Sequence, residues 1–347
     1  MKAVGRQSAM IPHNRPSFDA AECLASTRAL GSGWVAQGPE VESFENELCQ
    51  YLGLPEGHAV AVSSGSAALF LALWVSGAST RRIGLPVYGC SALRNAVALA
   101  GGECVYLDCK EGTPNVDVRA ALDADVDILI APSMYGIPIE LPVSRSCKVV
   151  EDVAQSLGAS VAGERIGLRG EVGICSFYAT KLMTTGGQGG AVISRDKSLI
   201  DSVRDYRDFD HRDDAKLRFN FQMTDIQAAI GRVQLGKLPA FLAQRERLFG
   251  IYIDAGLDLL GSSIAPDIRP VRYRAVMHCD DPRGLIETLR KNGVSAIVPL
   301  ERWELLDQPE RYPVAEQASV SSVSLPVYPT LPEEEARRIA TIARDFT

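Results

Sequence analysis

The sequence has no apolar stretch long enough to cross a lipid bilayer. Its longest uninterrupted apolar run, from Ala67 to Val75, falls far short of the ~20 residues that a spanning helix needs. The first residues, Met1 to Ser8, are polar, and no apolar segment typical of a signal peptide follows them. We therefore expect a cytoplasmic protein with no membrane partner.

The sequence also has little histidine and no paired cysteine motif. None of its eight cysteines forms a C-x-x-C pair, and none of its four histidines belongs to an H-E-x-x-H motif or lies at ligand spacing from a cysteine. This argues against a zinc site and predicts no bound metal. In a long chain without an export signal, the cysteines are expected to be reduced and mostly buried.

Length and composition indicate a globular enzyme-sized protein. The chain has 347 residues, 46% of them hydrophobic and 23% charged, which is close to the average for soluble proteins. A net charge of −7 argues against nucleic-acid binding. At about 150 residues per domain, two domains are expected, and we place them at 1–240 and 241–347.

The first of these domains is predicted to be an α/β fold. Short apolar segments alternate with longer helical stretches, and they do not show the alternating polarity of a half-exposed strand, as expected for strands buried on both faces. This pattern predicts a mostly parallel sheet of seven strands. The predicted strands are His58–Ser63, Arg82–Tyr88, Glu103–Leu107, Asp127–Ala131, Lys148–Val153, Gly173–Tyr178 and Gly190–Ser194.

A long helix is predicted to begin at Thr224, because Thr224 and Gln227 have the spacing of a capping box. It is expected to lead out of the large domain into a smaller α+β domain. The elements predicted there are a strand at Tyr273–His278, a helix at Arg283–Asn292, a short strand at Ser295–Val298 and a terminal helix at Glu333–Phe346.

Ligands of such sheets bind beyond the carboxyl ends of the strands, and a Ser-rich turn lies at the first of these ends. Ser64, Gly65 and Ser66 stand between a strand and an all-apolar helix. The free N–H groups of a helix start favour an anion such as a phosphate, and small residues let it approach. The alternative is a plain serine helix cap.

An acid pair, Glu151 and Asp152, ends the fifth predicted strand. A carboxylate at this place could hold a protonated ring nitrogen, but it could equally bind a metal or cap a helix.

The most informative segment follows the sixth strand. Lys181 lies among apolar and hydroxyl residues, and four glycines occur within the five positions 186–190. Buried lysines lose their charge readily and form Schiff bases, while glycines let the backbone pass close to a bulky group. The alternative is a surface lysine beside a flexible loop.

Two further candidates are less specific on their own. Tyr88 and Cys90 follow the second strand and could form the wall of a site for a flat ligand, or a simple turn with a core tyrosine. Asn220, just ahead of the capping box, could be a polar ligand or a hydrogen-bonded loop residue.

Together, a phosphate anchor, a ring-nitrogen acid and a Schiff-base lysine are what pyridoxal 5'-phosphate requires. Their order along the chain is the order in fold type I pyridoxal-phosphate enzymes. At these residues the sequence resembles the DegT/DnrJ/EryC1/StrS family of sugar aminotransferases, over nearly its whole length. The matching segments are Gly33–Val41 with Phe44 and Glu45, Ser63–Ala68, Met134–Gly136, Glu151–Ala159, Ser176–Lys181, Asn220–Thr224 with Gln227–Ala229, and Ser324–Pro329.

The resemblance implies a role for each matching residue. Lys181 would bind the cofactor as a Schiff base and act as acid and base at the substrate carbon, and Asp152 would pair with the pyridinium nitrogen. Gln155 would lie against the ring near its hydroxyl. The phosphate would be held by Gly65, Ser66 and Ser176, with Asn220 of the neighbouring subunit reaching it in a homodimer with shared active sites.

Some positions depart from the family pattern. Cys90 stands where the family usually stacks an aromatic side chain on the ring, so either Tyr88 stacks instead or the stacking is weak. Gln222 replaces a common arginine, and Gln188 replaces the glutamate of a G-E-G-G motif. No histidine occurs in the segment Pro299–Trp303, where family members often carry one.

The implied activity is an aminotransferase that moves an amino group, from L-glutamate, to a keto carbon of a nucleotide-linked sugar in the biosynthesis of a polysaccharide or antibiotic. A keto-cyclitol acceptor is an alternative. A pyridoxal-phosphate sugar dehydratase of the same fold is a second alternative, but those enzymes carry histidine where this chain has Lys181. Intact Asp152, Gln155 and Lys181 argue against a non-catalytic regulatory protein.

Overall fold

The computed structural model describes residues 10–141 and 147–347. The strands are β1 Ala59–Val62, β2 Arg82–Pro86, β3 Glu103–Leu107, β4 Ile128–Pro132, β5 Lys148–Asp152, β6 Ser160–Val161, β7 Glu164–Arg165, β8 Val172–Ser176, β9 Gly190–Ile193, β10 Ile268–Arg269, β11 Ala275–His278 and β12 Ser322–Leu325. The helices are α1 Ala20–Gly31, α2 Pro39–Leu52, α3 Gly65–Val75, α4 Ser91–Leu99, α5 Val118–Asp123, α6 Lys197–Arg207, α7 Asp225–Asp254, α8 Pro282–Lys291, α9 Pro313–Val320 and α10 Glu333–Phe346. Short 3-10 turns occur at Met134–Gly136, Arg302–Glu304 and Pro309–Arg311.

Seven of the strands form one sheet in the order β1-β9-β8-β5-β4-β2-β3. All neighbouring pairs are parallel except those of β9, which runs antiparallel to both β1 and β8. The prediction of a mostly parallel seven-stranded sheet is confirmed, and each predicted strand corresponds to one strand of this sheet.

Both faces of the sheet are buried, which explains the continuous apolar segments. In β1, Val60 and Val62 pack into one hydrophobic cluster, while Ala59 and Ala61 pack into another on the opposite face. Successive side chains of a strand point to opposite faces, so a strand between two helical layers must be apolar along its whole length.

Charged side chains cover the free edge of β1. The Glu45 carboxylate accepts a hydrogen bond from the backbone N–H of Ala61 at 2.8 Å, and the guanidinium of Arg207 donates to the carbonyl of the same residue at 3.0 Å. Arg207 also pairs with Glu45, and both side chains are buried. An edge strand exposes unpaired backbone groups, so this cluster satisfies the edge and holds the chain where it leads into α3.

The predicted capping box at Thr224 is confirmed. The Thr224 side chain accepts from the backbone N–H of Gln227, and the Gln227 side chain accepts from the backbone N–H of Thr224. The helix that follows, α7, has 30 residues and contacts α1 and α2 at one end and α10 at the other. The domain boundary placed at residue 240 falls inside this helix and stays a prediction.

The C-terminal part differs from the prediction at one strand. Ser295–Val298 forms no strand, and only Ile297 bridges to Ser324. Its pairing cannot extend because Pro299 has no backbone N–H to donate. The strand paired with β11 is instead β12, which the sequence analysis treated only as part of a motif. The predicted terminal helix at Glu333–Phe346 is confirmed.

In the part of the chain that the structure describes, no helix combines the length and apolar character needed to cross a membrane.

Candidate active site

A cavity of about 390 Å³ lies where β5 and β8 end and α3 begins. Its wall contains eight of the ten site residues expected from the sequence, brought together from four separate segments of the chain. These eight residues are Ser64, Gly65, Ser66, Cys90, Asp152, Gln155, Ser176 and Lys181. The two that do not line it are Tyr88 and Asn220.

One corner of the cavity is the first turn of α3. The Ser64 hydroxyl caps this helix by accepting from the backbone N–H of Ala67 at 3.1 Å. The first helical hydrogen bond runs from Ala68 N to Ser64 O at 3.0 Å, so the N–H groups of Gly65 and Ser66 come before the helical ladder. Such N–H groups, at the positive end of the helix dipole, favour an anion.

Close packing around this corner requires glycine at two positions. A Cβ atom on Gly65 would lie 2.8 Å from the Ser176 hydroxyl oxygen, and one on Gly190 would lie 2.4 Å from the carbonyl oxygen of Ser64. The end of β8 and the start of β9 therefore contact the helix start directly. Backbone N–H groups and a serine hydroxyl at a site this tightly packed fit a phosphate group.

The two residues of the acid pair have different environments because successive strand residues face opposite ways. Glu151 is 1% exposed and forms an ion pair of 2.7 Å with Arg169, away from the cavity. Its carboxylate also accepts hydrogen bonds from the backbone N–H groups of Arg169 at 2.6 Å and Gly170 at 2.8 Å. Only Asp152 lines the cavity, so Glu151 has a structural role.

Burial raises the pKa of the Asp152 carboxyl above its ordinary value, against the opposing effects of a backbone hydrogen bond and of the Lys181 charge. The backbone bond comes from Ala154 N at 2.8 Å. Burial of a carboxylate disfavours its charged form, and a nearby cation favours it. Asp152 is therefore a carboxylate that a cationic group in the cavity would stabilise.

Lys181 lies in the segment between β8 and β9 and lines the cavity. Its Nζ atom lies 5.4 Å from the centroid of the Tyr273 ring. The preceding residue is fixed from the N-terminal segment, since the Asn14 side chain donates to the carbonyl of Thr180 at 2.8 Å. The lysine is thus set between the end of the sheet and residues from the N-terminal segment and from the C-terminal third of the chain.

Gln155 is held by the turn that follows β4. Its Oε1 atom accepts from the backbone N–H of Tyr135 at 2.8 Å, and its Nε2 atom lies 3.6 Å from the Met134 sulfur. Tyr135 has a left-handed backbone with φ of 58°, which is uncommon outside glycine. The hydrogen bond to Gln155 contributes to holding this conformation at the cavity wall.

Tyr88 does not reach the cavity. It is 1% exposed, its hydroxyl lies 2.6 Å from that of Tyr135, and the two rings meet edge to face. Burial raises the pKa of Tyr88. Cys90, two residues further at the start of α4, does line the cavity. The chain turns between β2 and α4, so the residue facing the cavity is the cysteine and the tyrosine packs into the core.

Asn220 is exposed and does not line the cavity of its own chain. Its side-chain oxygen accepts from the backbone N–H of Gln222 at 3.0 Å. The next residue is anchored, because the carbonyl of Phe221 accepts from Ser63 N at 2.7 Å. Asn220 therefore projects from a loop that is fixed beside the end of β1.

Some wall residues were missed by the sequence analysis. Pro132 ends β4, and Ser133 follows it; Met134, in the 3-10 turn after them, was treated only as part of a matching motif and not as a site residue. The signal that could have found them is the same strand-end rule that pointed to Asp152, applied to the fourth strand. Tyr273, beside Lys181, had no such signal, because it comes from a segment about 90 residues further along the chain.

Within residues 10–141 and 147–347, no three His, Cys, Asp or Glu side chains are grouped in a way that could hold a metal ion.

Comparison with known proteins assigns the family. Residues 16–344 match the DegT/DnrJ/EryC1/StrS aminotransferase family. The chain is 30% identical to the dTDP-3-amino-3,4,6-trideoxy-alpha-D-glucose transaminase of Streptomyces venezuelae, over 93% of this chain and 91% of that protein. It is 28% identical to the UDP-N-acetyl-3-dehydro-alpha-D-glucosamine 3-aminotransferase of Acidithiobacillus ferrooxidans, over 88% of each.

A solved structure agrees with this assignment. The structure of DesV from S. venezuelae matches with a TM-score of 0.85 and 28% identity, covering 94% of both chains. The sheet order, the strand-end cavity and these matches lead to one conclusion: the chain belongs to the DegT/DnrJ/EryC1/StrS aminotransferase family, and it is a pyridoxal-phosphate-dependent aminotransferase of fold type I.

Proposed function

We propose that this aminotransferase transfers the amino group of L-glutamate to a keto carbon of a nucleotide-linked sugar. The observation that carries the chemistry is the cavity in which Asp152, Lys181 and the start of α3 meet. The sugar is supported by the relatives, whose names specify dTDP- and UDP-linked amino sugars. A relative from Escherichia coli O157:H7, 26% identical, is named GDP-perosamine synthase, so the relatives differ in nucleotide.

The described residues can hold the cofactor without rearrangement of the fold. The N–H groups of Gly65 and Ser66, with the Ser176 hydroxyl, would hold the phosphate. Asp152 would accept a hydrogen bond from the protonated ring nitrogen, and the Lys181 amine would attach the cofactor covalently. When bound, pyridoxal phosphate supplies an electron sink that stabilises negative charge on the substrate carbon.

The protein residues then control protons and water. A positive ring nitrogen beside Asp152 would keep the carboxylate ionised despite its raised pKa. The Lys181 amine, once released, is the group placed to remove and return a proton at the substrate carbon. Cys90 at the cavity wall would take up less space beside the cofactor than an aromatic side chain, and its thiol would contribute no strong hydrogen bond.

The absorption spectrum tests the proposed reaction. Adding L-glutamate to the holoenzyme should convert the pyridoxal form to the pyridoxamine form, and a nucleotide-linked keto-sugar should restore the first spectrum. A panel of dTDP-, UDP- and GDP-linked keto-sugars, with a keto-cyclitol beside them, identifies the acceptor. Recovery with the keto-cyclitol alone would contradict the proposed acceptor, and no response to any amino donor would contradict the proposed reaction.

We also propose that the working unit is a homodimer in which Asn220 completes the active site of its partner. Asn220 is exposed, lies on an anchored loop and is outside the cavity of its own chain. A cofactor that binds across the interface would stabilise the dimer. Removal of the cofactor should therefore weaken the dimer, and Asn220→Ala should raise the dissociation constant of the cofactor while Lys181 stays reactive.

Mixing two inactive variants, Lys181→Ala and Asn220→Asp, tests the sharing. In a mixed dimer one of the two sites contains only intact residues, so activity should recover to about a quarter of wild type for random exchange in a two-fold dimer. The matched control mixes Lys181→Ala with Asp152→Asn, whose positions line the same cavity, and should give no recovery. No recovery in the first mixture, with subunit exchange confirmed, would mean that Asn220 serves its own chain.

The cytoplasmic location expected from the sequence stays a prediction.

A further inference from the structure

Three cationic side chains, including the proposed catalytic lysine, lie around Tyr273. Lys181 Nζ and Arg274 Cζ each lie 5.4 Å from the centroid of this ring. Arg245 donates to the carbonyl of Tyr273 at 3.2 Å and is 1% exposed. Positive charge is thus concentrated around Tyr273.

The charge of Arg274 is not compensated by any carboxylate that the structure describes. Its polar contact is with the ring of His13, whose Nε2 atom lies 3.4 Å from Arg274 Nη1 and 2.9 Å from the Ser324 hydroxyl. Burial, with the charges of Arg274 and Arg245, lowers the pKa of His13 to about 3. The imidazole is therefore neutral at physiological pH and provides no negative charge opposite the Arg274 guanidinium.

Arg272, on the same segment, differs from Arg274 because its guanidinium is paired within the protein. Arg272 donates to Glu246 at 2.8 Å and to the carbonyl of Gly261 at 2.8 Å, and its guanidinium lies 4.0 Å from the centroid of the Phe249 ring. The Arg272 guanidinium thus contacts a carboxylate, a backbone carbonyl and an aromatic ring of the protein. Among the residues that the structure describes, the polar and ring contacts of Arg274 are with a neutral imidazole and an aromatic face.

The pKa of the Tyr273 phenol indicates a positive electrostatic potential around this residue. Burial alone would raise its pKa, but the charges of Lys181, Arg274 and Arg245, with a hydrogen bond to Thr180, lower it below the ordinary value. A phenol that is easier to ionise in spite of burial indicates a positive potential at this place. A partly buried cation without a counter-ion is costly, so this region favours an anionic ligand.

The Tyr273 ring sets an upper limit on the distance between the Lys181 and Arg274 cationic groups, which can be compared with the two arms of a dicarboxylic amino acid. The two cationic groups cannot be more than 10.8 Å apart, twice 5.4 Å, because both lie at that distance from one ring centroid. In an extended glutamate, the side-chain carboxyl carbon lies about 5 Å from the nitrogen and the α-carboxyl carbon about 2.5 Å. An ion-pair contact adds about 4 Å.

Arg274 does not line the cofactor cavity, so of the two arms the longer one is the better candidate to extend from the reacting carbon to this arginine. We propose that Arg274 binds the side-chain carboxylate of a dicarboxylic amino donor and thereby selects that donor. This inference rests on the proposed function and deepens it, because it assigns donor choice to a residue outside the cofactor site. The α-carboxylate remains close to the reacting carbon and is not assigned to Arg274.

The test compares two donors of the same shape, L-glutamate and L-glutamine, in the half-reaction of the holoenzyme. For Arg274→Gln, the dissociation constant of L-glutamate should rise about ten- to 150-fold, the range for loss of hydrogen bonds between charged groups, while the maximum rate stays similar. The constant for L-glutamine should change little, and Arg274→Lys should retain part of the selectivity. Arg272→Gln is the matched control and should keep the wild-type preference for glutamate.

A second measurement does not depend on turnover. Glutarate, an inert dicarboxylate, should bind Arg274→Gln more weakly than wild type in calorimetry, with the cofactor affinity of both proteins measured alongside. Equal losses for L-glutamate and L-glutamine, or unchanged glutarate binding, would overturn the role of Arg274. A wild-type protein that reacts with no amino donor would instead contradict the proposed function, and the glutarate comparison would still decide whether Arg274 binds an anion.

Discussion

The two sides of Lys181 are built in different ways. On the sheet side, the functional groups sit at strand ends and make short-range hydrogen bonds, such as Ser64 to Ala67 N and Asp152 to Ala154 N. On the opposite side, His13 and Arg274 meet although 261 positions separate them in the sequence. The first kind of arrangement leaves a local motif in the sequence, and the second leaves none.

The titratable groups on the two sides are also shifted by different causes. On the sheet side, burial raises the pKa of the Asp152 carboxyl, although the Lys181 charge opposes this shift. On the other side, burial together with the charges of Arg274 and Arg245 lowers the pKa of His13, and the charges of Lys181, Arg274 and Arg245 lower the pKa of Tyr273 against the effect of burial. A cationic ring nitrogen would stabilise the charged form of Asp152, and the carboxylate of an amino donor would compensate the positive charges around Tyr273.

The largest expected effect is at the residue that separates the two sides. Lys181→Ala should lower the half-reaction rate about 10⁴-fold or more, because the variant loses both covalent attachment and the proton-transferring amine. Borohydride reduction of the wild type followed by peptide mapping should label the peptide that contains Lys181. Lys197→Ala, which removes an exposed lysine paired with Asp201, should label normally, and a label on any other lysine would refute the assignment.

Asp152 and Glu151 sharpen the contrast between a functional and a structural carboxylate. Asp152→Asn should keep some cofactor and lose about 10²- to 10³-fold in half-reaction rate, since the ring nitrogen no longer faces a negative charge. Glu151→Gln breaks a buried ion pair and should lower the free energy of unfolding by about 3–5 kcal/mol. Its folded fraction should react normally. Stopped-flow spectra and thermal melts measure the two effects, and near-normal turnover of Asp152→Asn would refute its role.

Glycine substitutions test whether the corner of the cavity at the start of α3 is as tightly packed as the geometry indicates. Gly190→Ala should cost up to about 3 kcal/mol of stability and weaken cofactor binding, because its Cβ would collide with the Ser64 carbonyl. Gly236→Ala, at an exposed position in α7 with nothing within 4 Å, should stabilise the protein by about 0.5–1 kcal/mol. Chemical denaturation of the apoenzymes gives both values, and equal effects would contradict the packing argument.

The smallest expected effect is a pH dependence on the opposite side of the site. The folded pKa of His13 is lowered from 6.5 to about 3, so the unfolded chain binds the proton that the folded protein excludes. The free energy of unfolding is therefore unaffected by protonation of His13 above pH 6.5, the pKa of this residue in the unfolded chain. It decreases as the pH falls from 6.5 towards 3, by at most about 1.4 kcal/mol per pH unit.

Between pH 7 and pH 5 this loss amounts to about 2 kcal/mol. In His13→Gln, the free energy of unfolding should therefore fall by about 2 kcal/mol less than in wild type over the same interval. Denaturant titrations at the two pH values measure the difference. The same pH slope in both proteins would show that His13 is not held neutral in the folded state.

The comparison of the two sides also explains which predictions from the sequence were accurate. The seven buried strands, the Thr224 cap and the terminal helix depend on local patterns, and the structure contains all of them. The strand predicted at Ser295–Val298 was wrong, because strand formation there depends on a partner and on Pro299, not on β-branched composition alone. Strand pairing is a long-range property, and β12 was missed for the same reason.

By itself, the sequence determined the class of fold, the family and eight residues that line the cavity, because strand ends, helix caps and glycine turns depend on consecutive residues. Tertiary structure alone decided that Glu151 pairs with Arg169 away from the cavity and that Tyr88 turns into the core beside Tyr135. It also decided that Lys181 and Arg274 both lie near the ring of Tyr273. The physical reason is that burial and electrostatic fields depend on every element packed around a group, and most of these are distant in sequence.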